Sequence, residues 1–183
     1  MKALAIITRV HPNRPKMLFL CRRSVARQVS SDYEHLFIYD NTKTGYGVGL
    51  ANKSFSQSLK ISSRYVMVLD DDDVLVDDNL VKDIKEITAD VIIFRGVVDG
   101  LPWSVLPPNH LWEKPIECGR IASFCMAARR EIWEQHKASF GKAVSGGDFQ
   151  YMKSVYDCTK DIYWHDKIVA RTQRVSRGRS ENE

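Results

Sequence analysis

Short apolar runs alternate along this chain with stretches in which apolar residues recur every three or four positions. That alternation predicts strands separated by helices. Residues 3–10 are an apolar run stopped by His11-Pro12-Asn13-Arg14-Pro15, which predicts a buried strand ended by prolines. From 16 to 29, Met17, Leu18, Leu20, Cys21, Val25 and Val29 fall on one stripe, so a helix is expected with its arginines opposite. A second strand is predicted over 34–39, then a glycine-rich loop over 44–49, a helix over 50–60 and a third strand over 65–69. The second half predicts a helix over about 78–87 and a strand over 91–94. An irregular segment, 100–119, follows and holds Pro102, Pro107, Pro108 and Pro115. A strand over 123–127, helices over 130–136 and 148–156, and a last strand or strand pair over 161–170 complete the pattern. Neither a repeat nor a linker interrupts it, so one domain is expected over 1–183, ending in a frayed polar tail, 171–183.

Strand, helix, strand, helix, strand is the order of a parallel, right-handed α/β sheet, whose ligands collect at the carboxyl ends of the strands. The polar residues expected to converge there are Thr8 and Arg9, Asp40 and Asn41, and Asp70 to Asp73.

Charge sharpens this picture. The 183 residues hold 27 Lys+Arg against 23 Asp+Glu, a formal net charge of +4, but the two signs are segregated. Residues 14–27 carry Arg14, Lys16, Arg22, Arg23 and Arg27 and no acid, a composition that fits a solvated basic face. Residues 70–90 carry nine acids against Lys82 and Lys85. Cys21, Cys118, Cys125 and Cys158 lie far apart, which fits neither a disulfide framework nor a zinc knuckle. No window approaches the roughly 20 apolar residues of a membrane span, and Arg9 comes too early for a signal peptide, so a cytoplasmic location is expected.

The acidic run carries the chemistry. Val66 to Leu69 deliver Asp70-Asp71-Asp72-Asp73 to the end of a buried strand, where four adjacent carboxylates repel unless a cation neutralises them. Mg²⁺ or Mn²⁺ held by one or two carboxylates together with phosphate oxygens is the economical answer, and it suits a nucleoside diphosphate. The plainer alternative is an acidic cap on a helix running from Val74 to Ile87.

At this point the residues acquire a family likeness. Ala51-Asn52-Lys53, followed by Arg64-Tyr65-Val66-Met67-Val68-Leu69-Asp70-Asp71-Asp72-Asp73, resembles the family 2 glycosyltransferases of GT-A fold. Arg14-Pro15, Ser24-Val25 with Gln28, Ile38-Tyr39-Asp40-Asn41, and Gly146-Gly147-Asp148-Phe149 extend the resemblance. It implies a Rossmann-like, mostly parallel central sheet flanked by helices, with a nucleotide-sugar half over about 1–99 and an acceptor-side half over about 100–170. It further implies metal-dependent, inverting transfer from a nucleotide-diphosphate sugar, UDP-sugar first, to an acceptor hydroxyl on a glycan, a small molecule or a modified nucleic acid. Asp40 would hold the nucleobase, with Thr8, Arg9 and Asn41 lining its pocket. Asn52, Asp70 and Asp71 would also contact the donor, Asp70 at the ribose. Asp72 would hold Mn²⁺ or Mg²⁺, joined by His165, and Asp148 would be the general base. Arg171 and Arg174 stand where they could close over the phosphates, and Trp103 and Trp112 in the 100–119 loop would stack on the acceptor.

The chain departs from that pattern in two places: Asp40-Asn41-Thr42-Lys43-Thr44 replaces an Asp-Gly-Ser-x-Asp run, and Gly147 stands where an acid precedes the base. A haloacid-dehalogenase-like phosphatase is an alternative, with Asp70-x-Asp72 as its nucleophile motif, but that motif opens such folds. A nucleotidyltransferase would need a glycine-rich loop after the first strand, and Val10-His11-Pro12-Asn13 has none. A non-catalytic reading has the basic helix and Arg171, Arg174, Arg177 and Arg179 binding nucleic acid.

Overall fold

The first strand, β1 (Leu4–Val10), is buried almost throughout, and Pro15 opens helix α1 (Pro15–Ala26) after a four-residue turn. Proline suits that first helical turn because the amide hydrogen it lacks has no intrahelical acceptor there. The computed structural model of this protein describes residues 1–39, 60–99, 104–142 and 147–173. Strand β2 (Tyr33–Tyr39) follows, then β3 (Tyr65–Val68), β4 (Asp73–Leu75), helix α2 (Leu80–Glu86) and β5 (Val91–Val97). Next come β6 (Val105–Leu106), β7 (Met126–Arg129), α3 (Arg130–His136), α4 (Gly147–Cys158) and β8 (Ile162–Thr172). The loop at 44–49 and all but the last residue of the helix expected over 50–60 lie outside the described residues.

The strands form one sheet in the order β2-β1-β3-β7-β5-β8-β4, with β6 beside β5. β1 pairs in parallel with β2 and β3, and β5 with β8. The contacts of β3 and β5 with β7, of β4 with β8 and of β5 with β6 are antiparallel. The sheet is therefore mixed, where a mostly parallel one was expected. Strands buried on both faces are apolar whichever way they run, so composition does not reveal direction.

One apolar cluster unites Leu4 to Ile7, Tyr65 to Leu69, Val91 to Phe94, Phe124 and Val155. Gly96 is the tight point. A Cβ there would run into the Phe124 ring and meet the Ala170 carbonyl at 3.2 Å.

Helix α1 pins the segment after the acidic run. The Leu75 amide donates to Ser24 Oγ (3.0 Å), the Val81 amide donates to Gln28 Oε1 (3.0 Å), and Gln28 Nε2 donates to the Asp77 carbonyl (2.7 Å). Those bonds explain why 73–75 is extended and α2 starts only at Leu80. The acidic-cap reading therefore fails, because Asp70 to Asp72 lead into a strand that Asp73 begins. α1 also ends at Ala26, short of the expected 29, and leaves Leu20 and Val29 exposed.

Three further expectations change. Residues 123–125 form a 3₁₀ turn, with the strand displaced to β7. Residues 171–173 belong to or abut β8 rather than to a frayed tail, since Thr172 sits opposite Asp73; 174–183 lie outside the described residues. Trp112 is partly buried, edge-on to Trp164 with ring centroids 5.0 Å apart, and the Arg95 guanidinium lies 4.0 Å over its ring. It is committed to packing, while Trp103 lies outside the described residues. Among the described residues, no helix is long and apolar enough to cross a membrane.

Candidate active site

Because β1 and β3 are parallel neighbours, the residues just beyond them emerge side by side. The Asp71 amide donates to the Arg9 carbonyl (3.3 Å), and the His11 amide donates to Asp71 Oδ2 (2.6 Å), locking the two strand ends together. Arg9 then spans the site. Its Nε and Nη2 donate to the two oxygens of Asp70 at 2.6 and 2.5 Å. Its Nη1 and Nη2 donate to the two oxygens of Asp148 at 2.8 and 3.1 Å. A planar guanidinium suits two carboxylates at once, which a point-charge ammonium does not.

Arg14, buried at the start of α1, donates through Nη1 to Asp72 Oδ2 (2.9 Å) and Asp71 Oδ1 (3.3 Å). The basic stretch is thus not wholly a solvated face: Arg14 is folded onto the acidic run, and Arg27 pairs with Asp78. β8 closes the far side. The Gln173 amide donates to the Asp72 carbonyl (2.6 Å), and its side-chain Nε2 donates to the Met17 and Asp71 carbonyls, both at 3.1 Å.

Among the described residues, two guanidiniums here face five carboxyls, and the imbalance shows in the acidities. Burial, then Asp72 and Asp70, pushes Asp73 well above the usual carboxyl range. Asp71 is pushed up to about 7 by burial, against the His11 amide, with Asp72 and Asp70 adding to the rise. Burial also raises Asp70, although Arg9 pulls it down. Arg9 itself is raised: burial alone would lower it, and Asp70 and Asp148 outweigh burial.

A divalent cation fits this chemistry. Oxygen atoms of Asp70, Asp72 and Asp73 lie within 4.8 Å of one another. Asp73 Oδ1 is buried without a hydrogen-bond partner among the described residues, and an orphaned buried carboxylate oxygen is costly. An all-oxygen donor set of this kind suits Mg²⁺ or Mn²⁺.

Of the residues singled out in the sequence, Arg9, Asp70, Asp71, Asp72 and Asp148 meet here. Thr8 does not line the same pocket as Arg9. Neighbours on a strand face opposite ways, and Thr8 Oγ1 is buried against His35 Nε2 (2.8 Å) and Cys21 Sγ (3.7 Å). His165 does not stand with Asp72; it falls near Asp77 and Asp83, its Nε2 3.4 Å from Asp83 Oδ2. Arg171 is exposed on β8 opposite Val74. Asp40, Asn41, Asn52 and Arg174 lie outside the described residues. Asp148 follows the first residue of α4, and its carboxylate reaches across to Arg9.

Sequence reasoning missed Arg14 as a partner, the His11 amide, Gln173 and the unpaired Asp73 oxygen. The first two were accessible: in a parallel pair, the residues just after β1 confront those just after β3. Gln173 gave no signal, because its role depends on β8 pairing with β4.

The fold has solved counterparts. S. aureus TarS 1–349 matches with a TM-score of 0.63 and 15% identity over 94% of this chain and 60% of that one. A longer S. aureus TarS structure matches with a TM-score of 0.66 and 15% identity, over 94% of this chain and 37% of that one. This chain thus spans less than two thirds of either. A glycosyltransferase involved in the glycosylation of the major capsid of PBCV-1 matches with a TM-score of 0.57 and 11% identity, over 96% of this chain and 95% of that one. At such identities the likeness is one of fold, a mixed α/β fold shared with a glycosyltransferase. No protein-family model matches the chain, and no curated protein matches it by sequence.

Proposed function

We propose that this protein transfers a sugar from a nucleotide-diphosphate donor, UDP-sugar first, to an acceptor hydroxyl. The observation that carries the reading is the Arg9 bridge, which gathers the acidic run after β3 and Asp148 of α4 at one strand-end site. Fold likeness to a glycosyltransferase agrees with it. Asp72, with Asp70 and Asp73, would hold Mn²⁺ or Mg²⁺. The cation supplies charge neutralisation to the departing diphosphate.

The remaining work falls to the chain. Asp148, about a third exposed, is the general base that takes the proton from the acceptor oxygen as that oxygen bonds to the anomeric carbon and the diphosphate departs. Attack opposite the leaving group inverts the anomeric centre. With both its oxygens on Arg9, Asp148 is paired in the free protein. A donor phosphate is the competing anion that draws Arg9 away and leaves the carboxylate able to accept a proton. The dehalogenase-like reading is weaker, because its nucleophile motif opens such folds, whereas Asp70-x-Asp72 follows β3, the third strand among the described residues.

Calorimetric titration of UDP with and without Mn²⁺ tests the reading. Metal-dependent binding is expected, lost in Asp72→Ala. Equal affinity in the presence of chelator would overturn it. For the base, Asp148→Asn should cut turnover by about 10²- to 10⁴-fold once an acceptor is found, with donor binding retained.

A further inference from the structure

Asp77, Asp83 and His165 form a second group of ligand atoms, within 4.8 Å of one another and sharing no residue with the acidic run. We propose that they are a second cation site, selective for a divalent transition metal such as Zn²⁺. Asp77 Oδ2 is buried without a hydrogen-bond partner among the described residues, and His165 Nε2 is buried with Asp83 Oδ2 beside it at 3.4 Å but no well-formed hydrogen bond. Asp77, Asp83 and His165 thus bring ligand atoms together where buried polar groups are incompletely satisfied, which calls for a common partner. The group is also held in place. Asp77 Oδ1 accepts from the Asn79 amide (2.9 Å) and its carbonyl accepts from Gln28 Nε2 (2.7 Å), so the carboxylate is fixed just before α2. The His165 ring packs edge-on against buried Phe94, with centroids 5.8 Å apart.

The donor chemistry selects the ion. One imidazole nitrogen with two carboxylates suits Zn²⁺, Co²⁺ or Mn²⁺ better than Mg²⁺, and three protein ligands leave a position for water or a further ligand. A groove of about 540 Å³, lined by Lys82, Asp83, Glu86, Asp161, Tyr163 and His165, gives access from solvent with a net acidic wall. Lys167 Nζ currently neutralises Asp83 Oδ2 at 2.6 Å. That ammonium is half-exposed, and a surface ion pair of this kind yields readily to a divalent ion. The proposal stands apart from sugar transfer and from the Mn²⁺ or Mg²⁺ site.

Titration of Zn²⁺ into the whole chain, followed by calorimetry and thermal melting, tests it. Parent protein should bind Zn²⁺ and melt higher. Asp77→Asn and His165→Asn should weaken binding roughly 100-fold, Lys167→Met should tighten it, and Asp72→Asn should leave it unchanged. Co²⁺ added to the parent should shift the His165 ring protons in NMR spectra, a readout that needs no variant. No Zn²⁺ binding, affinity unchanged in both Asp77→Asn and His165→Asn, or unshifted His165 protons would overturn the site. So would loss of binding in Asp72→Asn with retention in His165→Asn, which would put the ion on the acidic run.

Discussion

Arg9 and Asp148, 139 residues apart in the chain, are joined by two hydrogen bonds of 2.8 and 3.1 Å. The same guanidinium holds Asp70, so one side chain from β1 ties the end of β3 to the start of α4. Removing it strands two carboxylates next to further acids. Arg9→Ala should therefore destabilise the fold by about 3 kcal/mol or more, the scale of a broken buried pair. Arg9→Lys keeps the charge but not the fork, and should fall between the two in urea unfolding.

His35 gives a pH prediction. Burial, then Arg22, pushes its imidazole down to about 4 from an ordinary 6.5. A folded pKa below the unfolded one means stability that is present above 6.5 and lost as pH falls toward 4. Asp71, raised to about 7, works in the opposite direction over the same window. The comparison to make is therefore parent against His35→Gln. The difference in unfolding free energy between them should shrink steadily from pH 6.5 to pH 4, and a constant difference would show that His35 is protonated in the fold.

Gly96 is a packing prediction. The space a side chain would need is filled by Phe124 on one side and the Ala170 carbonyl on the other. Gly96→Ala should cost about 1–3 kcal/mol through overpacking. Adding Phe124→Leu should recover part of it, a non-additivity that two independent sites would not show.

How much of this was legible beforehand depends on what each residue's role requires. Helix 130–136 was readable to the residue, because its boundaries are set locally. The meeting of Arg9 with Asp70 needed only the parallel pairing of β1 with β3, which the strand–helix–strand order implies. β4 was hidden: three residues are too few for a period, and its extension is imposed by Ser24, whose Oγ accepts from the Leu75 amide. His165 was drawn to the wrong acids because its place on β8 depends on the parallel register of β8 with β5, where it sits opposite Phe94. Strand direction and long-range register arise from tertiary pairing, and no local pattern encodes them.

Asp73 supplies the prediction with the least expected sign. Its folded pKa lies well above the ordinary 3.8, driven by burial and then by Asp72 and Asp70. Between the ordinary 3.8 and its raised value in the fold, Asp73 is ionised in the unfolded chain while the fold favours the protonated form, so ionising it in the cation-free fold carries a cost. A raised carboxyl pKa means stability that is full below 3.8 and lost as pH rises. Asp73→Asn carries no such cost, so the variant should be more stable than the parent at neutral pH, by roughly 1–2 kcal/mol on the scale of a relieved buried polar group. Below pH 3.8 the two should converge. Mn²⁺ should reverse the ranking, since a cation favours the ionised carboxylate and stabilises the folded parent by mass action, while the amide gains little. Urea midpoints at both pH values, with and without Mn²⁺, decide the matter: a variant less stable than the cation-free parent at neutral pH would mean that Asp73 is ionised and satisfied in the fold.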